Sequence, residues 1–455
     1  MSLALRNRLA RLVTAAFVLA LASKPLLAQE TGSVVSEKGI ATPSNRFRLK
    51  GEIKAHFRSS TREEQKVAAI GPPEPIFLRT VSPHGSFEIS TVTLIGEADV
   101  TPDISAKTEI HFLDLYNRNP TSSDDRIAVR EAWIRFGKKL EVLQAIPGTT
   151  LYLQVGKAPR FSKQLQRRLE SYGLWGTAVG RFEEVGIEAG GTFGKNVYWR
   201  GSLVNGNPLF YRDPNALAGD NGTPERMTFG PGSTPVYQSG FPILYDAKST
   251  DLNFQGKFQY GGGLGFRFLW GEENRSGVDV LGWYFRRQLA QSVPIRGSFY
   301  SGDLELLKGF PGGPSLAVSG DDKWEAGANL EVHLGRFQLY GQWVYQEIAG
   351  LPRKGFEVEG SYRIPLNGVF VSGDTPVLNW IQFVARASKI TNAFKTPPGF
   401  IDPSMGWNWN KWDGGFRLGV VRGVDLTAEY ARHDVILAAR VAHFDEFLST
   451  LRAGF

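Results

Sequence analysis

Apolar and polar residues alternate through Trp324 to Tyr345 in two runs that meet at a single Gly-X pair. In the first run Trp324, Ala326, Ala328, Leu330, Val332 and Leu334 share one face, and Glu325, Asn329, Glu331 and His333 share the other, the period of two that a strand requires. Past Gly335-Arg336 the parity flips, and Phe337, Leu339, Gly341, Trp343 and Tyr345 form the apolar row. A two-residue loop with Gly first predicts a hairpin that pairs Leu334 with Phe337, Val332 with Leu339 and Ala328 with Trp343, so both apolar rows fall on one face. The other face, with Gln338, Gln342 and Gln346 beside the acids, suits water. Two strands of a soluble sandwich would look the same. The extent of the pattern has to decide between a soluble core and lipid.

It runs through the whole chain. Strands are predicted at Arg46–Phe57, Val92–Val100, Ile104–Phe112, Arg126–Phe136, Leu151–Val155, Val185–Ala189 and Val197–Leu203. They continue at Leu252–Tyr260, Leu264–Trp270, Val278–Phe285 (register open) and Tyr300–Leu306. After the opening hairpin come Phe356–Ile364, Ile381–Ala387, Gly414–Val420, Val424–Tyr430 and Phe444–Phe455. Around Thr101-Pro102-Asp103 a three-residue loop pairs Val100 with Ile104, Leu94 with Ile110 and Val92 with Phe112, with Glu97 facing Lys107. Around Val421-Arg422-Gly423 a loop with Gly last pairs Leu418 with Leu426, Phe416 with Ala428 and Gly414 with Tyr430 as a G1-bulge hairpin. Turning Glu97 or Glu331 to lipid at mid-bilayer would cost on the order of 2 kcal/mol, so only one register survives. The reading is an antiparallel up-and-down transmembrane β-barrel of eighteen strands, with sixteen as the alternative, short periplasmic turns and long extracellular loops.

The first residues change the picture. Arg6, Arg8 and Arg11 precede an apolar run from Leu12 to Ala22, and Leu26-Leu27-Ala28 precedes Gln29, the layout of a signal peptide over residues 1–28. A periplasmic tail over 29–45 and a barrel over 46–455 follow. No stretch reaches the roughly 18 to 20 apolar residues of a spanning helix, so a membrane protein of this sequence is a barrel. At the other end Phe447, Ser449, Leu451, Ala453 and Phe455 share one parity. That tail resembles the terminal strand of Gram-negative outer-membrane proteins, whose final Phe is read by the barrel-assembly machinery.

Charge and composition add less. The net charge of +7 falls to +3 without Arg6, Arg8, Arg11 and Lys24, and nothing points to nucleic acid. There are no cysteines, so disulfides do not hold the fold. Fifty-two glycines and 42% hydrophobic residues fit a barrel and a large soluble β protein equally.

The alternation breaks at Ala158 to Arg181. This stretch holds Arg160, Lys163, Arg167, Arg168 and Arg181 with Glu170, Tyr172 and Trp175. Folded into the lumen, as a loop over 158–182, it would narrow a pore and attract anions; as an exposed loop its arginines would pair with acids or lipopolysaccharide. Asn207 to Thr250 has no periodicity and reads as the longest extracellular loop. Lys107, Arg135, Arg200, Arg267, Arg417, Glu131, Glu325 and Glu331 fall on the inward parity and would line the pore.

Enzyme signals are thin. His-Glu-x-x-His, Gly-x-Ser-x-Gly and a phosphate-binding loop are absent from the sequence, and Gly261-Gly262-Gly263-Leu264-Gly265 misses dinucleotide spacing and reads as a turn. His56, His111 and His333 face inward on separate strands, and no cofactor or metal is expected. Met405, Trp407, Trp409 and Trp412 read as a loop cluster, either an interfacial girdle or a stacking surface for a sugar.

Arg130-Glu131-Ala132-Trp133-Ile134-Arg135-Phe136, Leu153-Gln154-Val155-Gly156-Lys157, the break, Gly180 to Ile187 and Leu203-Val204-Asn205-Gly206-Asn207 occur in the order seen in phosphate-selective porins. Over about residues 87–207 the chain resembles that O and P porin family. The resemblance implies a trimeric, usually sixteen-stranded anion channel with lumenal arginines and lysines, in contact with lipid and lipopolysaccharide. Phosphate is not carried over, because inward cations lead early in the chain and inward acids lead later. The expected function is passive diffusion of small hydrophilic solutes with a mild anion preference. The rivals are a barrel that sheathes or anchors an exported partner, and a soluble secreted β protein.

Overall fold

The period of two decides which way each side chain faces, and in the computed structural model it is realised as a closed wall. The structure describes residues 40–41, 46–61, 65–67, 76–79, 86–113, 127–140, 143–146, 148–164, 167–171, 173–175, 183–206, 227–229, 235–238, 248–249, 257–271, 276–289, 295–296, 315–372, 375–398, 406–436 and 441–455. Among them sixteen strands form one antiparallel barrel. They are β1 (Phe47–Ser60), β2 (Ser86–Thr101), β3 (Ile104–Leu113), β4 (Ile127–Gly137), β5 (Thr150–Pro159), β6 (Glu183–Phe193), β7 (Val197–Val204) and β8 (Gln259–Trp270). The second half comprises β9 (Ser276–Gln288), β10 (Asp322–Leu334), β11 (Phe337–Ile348), β12 (Leu351–Pro365), β13 (Trp380–Asn392), β14 (Asn408–Val421), β15 (Val424–Ile436) and β16 (Val441–Gly454). Each pairs with its sequence neighbour, and β1 pairs with β16, from Glu52 opposite Gly454 to Ser60 opposite Glu446. Phe455 extends this seam: its backbone exchanges hydrogen bonds with Gly51, and its ring lies where a Gly51 Cβ would be.

The hairpin registers agree with the turn chemistry. Leu334 faces Phe337, Val332 faces Leu339 and Ala328 faces Trp343, and Gly335 supplies the positive φ of 59° that a Gly-first turn needs. Leu418 faces Leu426, Phe416 faces Ala428 and Gly414 faces Tyr430, with an irregularity between Gly419 and Val421 and Gly423 at φ 79°. Around Pro102-Asp103, Val92 faces Phe112 and Leu94 faces Ile110, but Thr101 rather than Val100 faces Ile104. A register shift between Asp99 and Thr101 absorbs the extra residue, so the loop is one residue tighter than expected and carries a bulge.

The strand count is corrected to sixteen. Gly261, Gly262 and Gly263 lie within β8 instead of turning between two strands. Gly261 and Gly265 leave room for the inward rings of Phe285 and Tyr198, so the glycines answer to packing. The expected strands Leu252–Tyr260 (before Lys257) and Tyr300–Leu306 lie outside the described residues, as do the expected signal peptide, most of the expected tail and most of 207–250.

Outward rows are apolar: Ile134 and Phe136, Leu151, Leu153 and Val155, and Leu264, Phe266 and Phe268 are all exposed on the outer face. Tyr284, Trp324 and Tyr345 stack along one end of that surface, and Phe268 and Trp270 lie at the other, as interfacial girdles do. Trp409 and Trp412 belong to β14, not to a loop; Trp409 is buried inside and Trp412 is exposed outside, while Met405 is outside the described residues. Connections after β2, β6, β8, β10 and β14 are short, and most of those on the opposite end are long.

Candidate functional site

Residue Arg160 begins a stretch that leaves the wall at the end of β5 and crosses the interior. Arg160 inserts over the Phe285 ring at 3.8 Å and reaches Glu325 of β10 at 3.1 Å and Glu184 of β6 at 3.8 Å. Burial would lower its affinity for the proton, but Glu325 and Glu184 hold it above the ordinary arginine value. The Ser162 carbonyl accepts from Asn329 at 2.8 Å and from Gln342 at 2.9 Å. Arg168 donates to Gln338 of β11 at 2.8 Å and pairs with Glu359 of β12 at 3.2 Å.

The far end is fixed more tightly. Glu170 and Ser171 donate their backbone N–H groups to Glu429 of β15, and Arg386 of β13 donates to the Ser171 carbonyl and hydroxyl. The Glu170 carboxylate meets Lys54 of β1 at 3.2 Å and Arg452 of β16 at 3.5 Å. Burial alone would raise its pKa; Lys54, Arg167 and Arg417 outweigh that and hold it at about 2. Leu174 donates its N–H to Ser388, and the Trp175 indole donates to the Lys389 carbonyl. Around these anchors Glu359, Arg386, Lys411 and Asp413 form a buried chain of ion pairs on β12 to β14, with Arg386 between Glu359 at 3.3 Å and Asp413 at 3.0 Å.

The crossing chain leaves a cavity of about 780 Å³ on the side walled by β1 to β11. Lys163, which pairs with Glu183 at 3.0 Å, and Arg167, which donates to the Glu170 carbonyl, border it. Lys107 lies between Glu109 at 2.9 Å and Glu131 at 3.1 Å, and Arg267 pairs with Asp279. Arg135 stacks on Trp133 at 4.1 Å and donates twice to Gln154. Arg200 and Glu331 also face this cavity.

The inward parity therefore holds for every expected lining residue, but two sit away from the cavity. Glu325 is sealed between Arg160 and Lys323, and Arg417 pairs with Asp425 at 3.1 Å near the seam. Arg181 and Tyr172 are outside the described residues. His56, His111 and His333 do not converge: His56 bonds Thr450 and His111 bonds Glu109.

Several interior residues escape a search for inward charges. Leu281, Trp283 and Phe285 on β9 point inward and pack with Leu174, Trp175 and Phe161. With Val278, Val280 and Tyr284 outside, β9 is apolar on both faces, which is why its register is open in sequence. His433, buried between Trp409 and Glu446, lies on β15 beyond its expected end at Tyr430, and extending the same parity would have found it.

No family profile and no curated protein matches the sequence. Solved structures do. OprB of Pseudomonas putida aligns over 90% of this chain and 94% of its own, with a TM-score of 0.53 and 10% identity. The anion-selective porin of Comamonas acidovorans aligns over 90% and 99%, with a TM-score of 0.44 and 8% identity. At such identity the likeness to OprB is one of fold. The chain is an outer-membrane β-barrel. Its apolar outer rows, girdles and closed wall meet the demand that no backbone polar group face lipid unpaired.

Proposed function

We propose that this barrel is a porin through which small hydrophilic solutes diffuse passively, with residues 158–175 as its constriction. The observation that carries the reading is the cavity of about 780 Å³, lined by many charged side chains, that the crossing chain leaves beside itself. Basic side chains outnumber acidic ones on its lining, which supports a mild anion preference, since low-dielectric walls focus the field of a few charges. Arg160, Lys163 and Arg168 contribute less to that field than their number suggests, because each already meets a carboxylate. A sheath for an exported partner needs an interior free of inserted chain, and the described residues of 160–175 bond to its lining. Assembly as a homotrimer, surrounded by lipid and lipopolysaccharide, goes with the porin reading and with the resemblance to the phosphate-selective family.

Single-channel recording of the purified barrel in a planar bilayer under a salt gradient tests this. Stable ohmic steps with an anion-favouring reversal potential are expected. An inserted, heat-modifiable barrel that passes no current would sink the reading.

A further inference from the structure

Counter-charge is distributed unevenly along the cavity. Arg48 meets Glu97 at 3.2 Å and Asp99 at 2.8 Å, Lys107 meets two glutamates, and Arg267 meets Asp279. Arg200 is different. It is 8% exposed, lies between the rings of Tyr152 at 5.1 Å and Tyr198 at 5.2 Å, and donates Nη2 to the Leu140 carbonyl at 3.1 Å. Among the described residues it makes no ion pair, although it lines the cavity.

Its neighbours are cationic as well. Arg135 reaches the neutral amide of Gln154, and Lys139 pairs with Glu188 at 2.6 Å. Glu188 of β6 is buried on the inner face of the wall beside the cavity, where it also accepts the Tyr152 hydroxyl. Arg135, Lys139 and Arg200 thus lie close enough to repel one another, with Lys139 paired to Glu188. Lys139, in the connection after β4, is pushed below the ordinary lysine range by burial, with Arg200 and Arg135 adding to the effect against the pull of Glu188. All three lie toward the short-turn end: Arg135 near the end of β4, Lys139 just after it, and Arg200 near the start of β7. The same cavity offers Trp133, Leu281 and Phe161 as apolar surface.

We propose that the short-turn end of the cavity is a binding site for small organic carboxylates, with Arg200 as its principal donor and Arg135 and Lys139 completing it. The guanidinium of Arg200 is fixed by two rings and one carbonyl, so its remaining N–H groups are preorganised for the planar fork of a carboxylate. Trp133, Leu281 and Phe161 would cover the carbon body. The site deepens the porin reading by moving solute selection off the crossing chain and onto the wall below it. Inorganic phosphate presents the same oxyanion chemistry and is the competing occupant.

The test is calorimetric titration of the detergent-solubilised barrel with succinate and, separately, with inorganic phosphate, alongside the effect of succinate on single-channel current. Saturable succinate binding is expected, tighter than that of phosphate, weakened roughly tenfold or more in Arg200→Gln and largely retained in Arg200→Lys. Arg135→Gln, at a position that packs on the one ring of Trp133 and not between two, gives a second reading if Arg200→Gln does not reach a heat-modifiable fold. Absent succinate binding, or binding unchanged in both glutamine variants, overturns the site. Tighter binding of phosphate overturns the carboxylate assignment. Binding that persists in a barrel without conductance leaves the site standing and removes the channel; conductance without binding does the reverse.

Discussion

The two sides of the barrel interior obey the same inward parity and end in opposite physical states. Against β12 to β16 the crossing chain seals Glu359, Arg386, Lys411, Asp413 and Glu429 away from water, and each of these charges finds a protein partner. Against β1 to β11 the same kind of lining borders open space, and Arg200 has no carboxylate partner among the described residues. An inward charge on a barrel strand is thus a lining group or a clamp according to whether a loop lies over it. Strand parity does not distinguish the two.

The sharpest way to break this contrast is to remove one charge from each side. Glu359→Ala removes the carboxylate that Arg168 and Arg386 both meet; breaking such a buried pair costs about 3–5 kcal/mol. A lower temperature for loss of the folded band and a larger conductance, as the crossing chain loosens, are expected. Glu97→Ala, on the open side and part-exposed, should move that temperature far less, because such pairs are worth about 0–1 kcal/mol. Equal effects would mean that the two sides do not differ.

A smaller effect is expected from packing. Gly261→Val places side-chain atoms where the inward Phe285 ring lies and should cost about 1–3 kcal/mol, read from the same thermal shift. Gly262→Val, one residue along and facing lipid, meets only the Arg200 carbonyl at 4.0 Å and should be close to neutral.

The smallest effect near neutrality is that of pH. The Glu170 carboxyl titrates at about 2 in the folded barrel and near 4.5 when unfolded, so its contribution is complete above about pH 4.5 and disappears as pH falls through about 2. The part of the conductance that Glu170 controls should therefore be steady from pH 7 to 5 and change only in strong acid. Glu170→Gln should remove the acid step; a step near pH 6 that survives in this variant would place the controlling group elsewhere.

Much of the wall was legible in the sequence because turns and parity are local. Gly335-Arg336 and Arg422-Gly423 each fix a register within a dozen residues, and the structure pairs the expected partners. The misreading of Gly261 to Gly263 has a physical source. A glycine run reads as a turn until the ring of Phe285, on the next strand, is known to need the space. The break at Ala158 to Arg181 was legible as a loss of alternation rich in arginine, with its inward or exposed course left open. Its neutralisation was not, since Arg160 and Glu325 lie 165 residues apart, and Arg168 and Glu359 lie 191 apart. Such pairings belong to closure of the barrel.

The seam also bears on how fast the barrel can form. His56 and Thr450 hydrogen-bond across it at a separation of 394 residues, so ring closure carries an entropy cost that no local hairpin bears. Until it forms, β1 and β16 present two unpaired ladders, the template that draws in other chains. The barrel's vulnerable period is therefore set by its most distant contact, and a defect in the fit of Phe455 over Gly51 should lengthen that period with little change in the finished wall.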